Sequence, residues 1–272
     1  MDKSSFGGVV VAIVGILLGL TLEGGKVAQI LQPTAAMIVF GGTLGAVMIQ
    51  FPLPVVLQAF KRLGSVFFDK SKDPRERIAE IVGYANKARR GGIVSLDKEV
   101  DSIQEPFLKK SLMLAVDGTE PQELRKMMEL ELDNQAEHED HIPKVFESAG
   151  GFSPTVGIIG AVLGLIQVMQ HLDDINEVGR GIAVAFVATI YGVASANLFF
   201  LPCAGKIKMR IRQEQVVREM MLEGVISILE GMNPRMIETK LLGFFAEANK
   251  STAKAGEKAG AAVAARTEEK TA

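Results

Sequence analysis

Charge is absent from four long stretches of this chain, and that constrains its fold more than any other feature. No Asp, Glu, Lys or Arg occurs between Lys3 and Glu23, between Lys26 and Lys61, between Glu147 and Asp173, or between Arg180 and Lys206. Each stretch reaches the roughly 20 residues that a helix needs to cross the hydrocarbon core of a bilayer. Inside that core every backbone amide and carbonyl must find a partner within the segment, so isolated runs of this length are expected to be helices. The expected spans are 6–22, 34–56, 154–172 and 182–201.

Composition agrees once it is read along the chain. The 272 residues are 48% hydrophobic with a mean hydropathy of +0.23, yet 23% are charged, which requires the two kinds of residue to be segregated. The net charge of −2 carries no basic signature for nucleic acid. A single cysteine, Cys203, excludes an internal disulfide framework and a four-cysteine metal site. No Ala-x-Ala cleavage pattern follows the first apolar run, which therefore reads as a retained span. The implied fold class is all-α: a polytopic membrane protein with four transmembrane helices and a helical cytoplasmic domain.

The flanking cations set the orientation. Lys61, Arg62, Lys70 and Lys72 follow the second span, and Lys206, Lys208, Arg210 and Arg212 follow the fourth. The connections after the first and third spans hold only Glu23 and Lys26, then Asp173, Asp174, Glu177 and Arg180. By the positive-inside rule both termini and the long central segment are cytoplasmic. The chain then divides into a first hairpin (1–60), a cytoplasmic helical loop (61–150), a second hairpin (151–205), C-terminal cytoplasmic helices (206–249) and a tail (250–272).

Within the loop, Asp73-Pro74-Arg75-Glu76 reads as a helix start: a capping side chain, a proline at the first helical position and a glutamate three residues after the cap. Ile78, Ile81, Val82 and Ala85 continue at helical spacing until Gly91-Gly92. Glu120-Pro121 opens a second, long, charged helix through Leu124, Met127, Met128 and Leu132. Lys206–Glu230 is expected to extend the fourth span into the cytoplasm, with Asn233-Pro234 as the breaker before an amphipathic set of Ile237, Leu241, Leu242 and Phe245. The tail has almost nothing to bury and reads as disordered. No β pattern is found.

Small residues recur inside the spans: Gly15 and Gly19; Gly41, Gly42 and Gly45; Gly157, Gly160 and Gly164; Gly192 with Ala194 and Ala196. In lipid such residues let helices approach closely, which suits ordinary packing and a tightly packed oligomer equally. No ionisable side chain lies at mid-membrane depth; His171 sits near an outer end. If the chain conducts protons, a partner must supply the titrating carboxylate. Thr155 and Thr189 sit on the second pair of spans, and a threonine there commonly bonds back to its own helix, although a pore-facing pair could ligate an ion or water chain. Pro154 and Pro202 lie at opposite ends of those spans, where proline permits a bend or simply marks a helix end.

Other motifs are weak. Gly24-Gly25-Lys26 lacks the further glycine and hydroxyl of a phosphate loop, and His138-Glu139-Asp140-His141 lacks the four-residue spacing of a zinc helix. No Ser-His-Asp or Cys-His arrangement emerges, so catalysis is not expected.

The segments PTVGIIGAVLGLIQVM (154–169) and GIAVAFVATIYGVASANLFFLP (181–202) resemble the third and fourth membrane helices of the MotA family of flagellar stator proteins. GMNPRMIETKL (231–241), IVFGGTLGA (38–46) and RRGGIVSLD (89–97) are similar to its C-terminal signature, second span and cytoplasmic loop. The resemblance covers the chain up to about residue 249. It implies a unit of five copies around two copies of a single-span MotB-type partner, whose aspartate supplies the missing carboxylate. Ion flow then turns the ring and the loop pushes the rotor protein FliG; no cofactor is implied beyond the transported ion, H+. One charge crossing 100 mV releases about 2.3 kcal/mol, so each step is small.

Carried onto this sequence, the resemblance makes Pro154 and Pro202 the torque-linked prolines, and Arg89 and Asp97 the rotor-contacting charges. Asp97 stands where many members have Glu, and Lys98 and Glu99 beside it blur the register. Thr189 matches the threonine of the ion path, with Thr155 as the second hydroxyl. Sodium-driven members carry threonine at position 161, where this chain has Ala161, which offers no oxygen to a dehydrated Na+ and so implies proton coupling. The related ExbB/TolQ energisers have three spans with the large loop after the first, whereas here a whole hairpin precedes it. A solute channel or transporter would carry polar or broken helices at the midplane, and neither pattern is present.

Overall fold

The computed structural model of this protein describes residues 3–67, 73–244 and 246, and among these it contains helices and no strand. The tail 250–272 lies outside the described residues. Four helices are long and apolar enough to cross a membrane, at Ser4–Leu22, Pro33–Gln50, Pro121–Gln170 and Ile175–Leu229. The chain groups into two compact units, Met1–Lys70 with Glu137–Ile211, and Ser71–Ala136 with Arg212–Ala272.

The first unit begins with α1 (Lys3–Leu22), a turn through Gly24 and a 3-10 turn at Val27–Ile30. Helix α2 (Pro33–Gln50) then stops short of the expected 34–56 span. The cause is Pro52, whose ring disfavours a helical conformation in the residue before it. Phe51 is accordingly extended (φ −121°, ψ 142°), and a separate helix, α3 (Leu53–Phe67), starts at once. Its buried face, Val56, Ala59 and Val66, packs into a cluster with Val145, Phe146, Ala204 and Ile207.

Two uncharged stretches prove to be parts of much longer helices. After three shorter helices of the second unit, α4 (Pro74–Gly91), α5 (Asp97–Val100) and α6 (Pro106–Val116), α7 (Pro121–Gln170) opens at Pro121 as the sequence indicates, then runs 50 residues through Pro143 and Pro154. The third span is therefore the second half of α7, and Pro154 lies inside a helix rather than at its start. Helix α8 (Ile175–Ser195) is capped by the Asp174 carboxylate, which accepts the Asn176 amide at 2.8 Å. It passes through a π-helical segment, Ala196–Phe200, into α9 (Leu201–Leu229), so the fourth span does extend beyond Lys206. Pro202 accounts for the π turn: it has no N–H for the Leu198 carbonyl and its ring crowds that oxygen, which a wider turn relieves. The Leu201 amide bonds to the Ala196 carbonyl, five residues back. Helix α9 ends before Gly231 (φ +72°), ahead of Asn233-Pro234, and α10 covers residues 234–244.

The seam between α7 and α8 is built from backbone. A Cβ added at Gly157 would stand 2.9 Å from the Ala188 carbonyl oxygen, and one at Gly164 would stand 2.8 Å from that of Gly181. At Gly192 it would meet the Ser153 carbonyl oxygen at 2.6 Å. These glycines do serve close approach. Gly15, Gly19, Gly41 and Gly45, by contrast, meet nothing within 4 Å of such a carbon beyond their own helix backbone and chain neighbours, among the described residues. Ala35 and Val39 of α2 cover Val187 and Ala188 of α8.

In the second unit α4 (Pro74–Gly91) starts as expected, with the Asp73 carboxylate accepting the Arg75 amide at 2.9 Å and Pro74 in the first turn. It ends where Gly92 takes φ +77°, a conformation that favours glycine. A 3-10 turn (Ile93–Leu96), the short α5 (Asp97–Val100) and α6 (Pro106–Val116) follow. Ile81, Leu96, Leu108, Leu124, Met220 and Ile237 form the middle of its core. Glu223 of α9 ties three helices, accepting from Arg125 of α7 at 2.9 Å and Lys240 of α10 at 2.5 Å. Burial pushes its carboxyl up, but the two cationic donors outweigh that and hold it below the ordinary carboxylate range.

Candidate functional site

On α7, Gly157, Gly160 and Gly164 mark the face that meets α8. Ala161 is half-buried and borders that face, whereas Thr155 falls on the opposite, exposed side. On α8, Thr189 is half-buried beside the seam, its Cα 3.5 Å from where a Cβ of Gly157 would stand. Ala161 and Thr189 are thus brought to one seam, and Thr155 is not. Both hydroxyls bond back to their own helices, Thr155 to the Phe152 carbonyl at 2.7 Å and Thr189 to that of Ala185 at 3.2 Å. Each oxygen keeps lone pairs for a further donor.

Pro154 and Pro202 flank a polar contact that the sequence reading passed over. The hydroxyls of Ser153 and Ser195 lie 2.6 Å apart across the seam, and Ser153 is completely buried. Tyr191 was also missed: its hydroxyl donates to the Ile30 carbonyl at 2.5 Å and accepts the Gln32 amide at 3.3 Å, fixing the turn of the first hairpin to α8. Thr43 on α2 is 2% exposed, and its hydroxyl has no partner among the described residues. The available signal was position, with Ser153 just before one proline and Ser195 a helical segment before the other.

Arg89 and Asp97 lie in the second unit. Arg89 is in the last turn of α4, where a cation suits the helix dipole, and Asp97 opens α5. Both are exposed, and neither makes an ion pair among the described residues. Between them Leu96 is fully buried and anchors the turn, while Val94 is 67% exposed. Nearby Lys87 pairs with Glu99 at 2.5 Å. Burial, reinforced by Glu80, pushes the Tyr84 hydroxyl up to about 12, so the inner face of α4 holds a neutral phenol while its end offers free charge.

Long apolar helices, two of them joined through a glycine seam that carries hydroxyls and prolines, define an all-helical integral membrane protein. Residues 99–220 match the MotA/TolQ/ExbB proton channel family, and residues 6–92 match the Motility protein A N-terminal family. Motility protein A of Bacillus subtilis is 36% identical over 244 residues, covering 89% of this chain and 90% of that protein. The solved structure of C. jejuni MotAB superposes with a TM-score of 0.84 at 32% identity, covering 90% of this chain and 96% of that one. The flagellar MotAB stator complex from Bacillus subtilis gives 0.81 at 34% identity, covering 89% and 96%. The chain belongs to the MotA/TolQ/ExbB proton channel family, on its motility protein A branch.

Proposed function

We propose that this chain is the ring subunit of a flagellar stator, coupling proton flow across the inner membrane to motor rotation with a MotB-type single-span partner. The observation that carries the reading is the likeness to motility protein A over nearly the whole chain, first hairpin included, together with the fold shared with two MotAB complexes. In this reading the partner brings the ion-carrying aspartate to the α7–α8 seam, where Thr189 accepts a hydrogen bond from passing water. Ala161 leaves that path without the extra oxygen that a dehydrated sodium ion needs, which favours H+. Pro154 and Pro202 let the two long helices bend. The termini and the loop 61–150 face the cytoplasm, and five copies form the ring. Arg89 and Asp97, free of local partners, meet opposite charges on the rotor protein FliG, and Val94 adds an apolar contact between them.

The test replaces the stator pair of a motile strain with this chain and its partner, and records swimming without sodium and with a protonophore. Swimming that survives sodium removal and stops with the protonophore supports the reading. Sodium-dependent swimming keeps the stator and removes the proton assignment. Immobility beside a working control stator overturns the stator reading.

A further inference from the structure

Two weak points of the membrane helices lie along the same seam. Pro154 leaves the Gly150 carbonyl of α7 without its helical donor, and Pro202 does the same to Leu198 at the end of the α8 π segment. A Cβ on Gly192 would lie 3.2 Å from the Pro154 Cα, and one on Gly150 would lie 2.7 Å from Leu201, the residue before Pro202. Each bendable point thus packs directly on the other helix. Ser153 immediately precedes Pro154, and Ser195 immediately precedes the π segment.

Either hydroxyl can donate across the contact. When Ser195 Oγ donates to the Gly192 carbonyl at 3.2 Å, Ser153 donates across the seam to Ser195 Oγ at 2.6 Å. Thr155 and Thr189 bond only to their own helices, whereas the fully buried Ser153 spends its hydroxyl on its neighbour.

Resting on the stator reading, we infer that Ser153 and Ser195 are positioning residues: a hydroxyl pin that holds the Pro154 and Pro202 bends in register, so that α7 and α8 flex as one compound hinge while ions pass. The pin stays closed through the cycle, because the surrounding seam is backbone against backbone and leaves no room for the helices to roll separately.

Two sets of variants test this in the complete stator. Ser153→Ala, Ser195→Ala and the double substitution are compared at high load, with membrane level and ring assembly checked in parallel. The expected result is a loss of torque of about two- to threefold, the equilibrium factor of an interhelical hydrogen bond in lipid, with the double no worse than either single. Unchanged torque, or losses that multiply, overturns the pin. In a Cys203→Ala background, Ser153→Cys with Ser195→Cys should oxidise to a disulfide and still turn the motor. Rotation that stops on oxidation and resumes with reductant shows that the pair must part, and also overturns it. If the alanine variants fail to accumulate, the cysteine pair decides. Failure of the unmodified chain to turn the motor sinks only the stator reading. Cross-linking within one chain in isolated membranes then supports a registered pair, and its absence overturns it.

Discussion

Replacing Gly192 by alanine adds one methyl group at the tightest contact to backbone in the seam. That carbon would lie 2.6 Å from the Ser153 carbonyl oxygen, 3.1 Å from the Gly157 Cα and 3.2 Å from the Pro154 Cα. All three atoms are backbone, so no rotamer change can relieve them. Restoring an ordinary 3.4 Å contact to the oxygen requires α7 and α8 to part by about 0.8 Å. A gap of that size forfeits about a quarter to a half of the dispersion energy along the seam. Overpacking of this kind costs about 1–3 kcal/mol. Gly205 on α9 is the matched control, because its added carbon meets nothing within 4 Å and alanine is the better helix former by about 1 kcal/mol. Thermal unfolding of the detergent-extracted complex should therefore move in opposite directions, downward for Gly192→Ala and slightly upward for Gly205→Ala, at roughly 2–4 °C per kcal/mol. A Gly192→Ala protein that melts with the parent or above it refutes the close-contact account of the seam.

Further predictions address other parts of the molecule. Glu223 has a folded pKa below its unfolded value, so its contribution is complete above the ordinary carboxylate range near pH 4.3 and is lost as pH falls through the depressed folded value. Glu223→Gln should lower stability at pH 7 by about 1–2 kcal/mol, allowing for partial exposure, and flatten the acid limb of a pH–melting profile. Tyr191→Phe strips the Ile30 carbonyl and Gln32 amide of their shared partner and should cost about 1–2 kcal/mol, seen as faster hydrogen exchange at 27–33. Pro202→Ala supplies an amide to the Leu198 carbonyl, so the π segment should become regular α-helix, detectable as a new, protected amide at position 202, with torque lost and membrane insertion retained.

The sequence reveals the class of fold readily, because uncharged runs, cap residues and flanking cations are local signals. The Asp73-Pro74 start, the Gly92 stop and the opening at Pro121 need only neighbouring residues to be recognised, and the structure reproduces each. The misplaced boundaries come from proline, whose effect depends on context. Pro52 breaks a helix by reshaping Phe51, while Pro154 is carried inside α7, where α8 packs against the same turn. Of the site, Thr189 and Ala161 were legible only through family likeness, and their place at the seam follows from packing. The Ser153–Ser195 contact joins positions 42 residues apart, and Tyr191 reaches Ile30 over 161, so neither leaves a mark in local spacing.

The π segment also changes how the long helix must be numbered. Gly192, Ala196 and Ala204 are buried and Phe200 is half-buried, a repeat of four residues held for three turns, where a regular α-helix repeats every 3.6. The surplus amounts to about one residue, which the wider turn absorbs. Upstream and downstream parts of this helix are consequently out of phase by about 100° relative to an unbroken one. Removing a single residue between positions 196 and 200 would let the turn become regular α-helix with Cys203, Ala204 and Ile207 still on the face they now bury, whereas forcing the full-length segment into α-helix would rotate them off it. The irregular turn is therefore what keeps one continuous helix in step with the same neighbours on both sides of it.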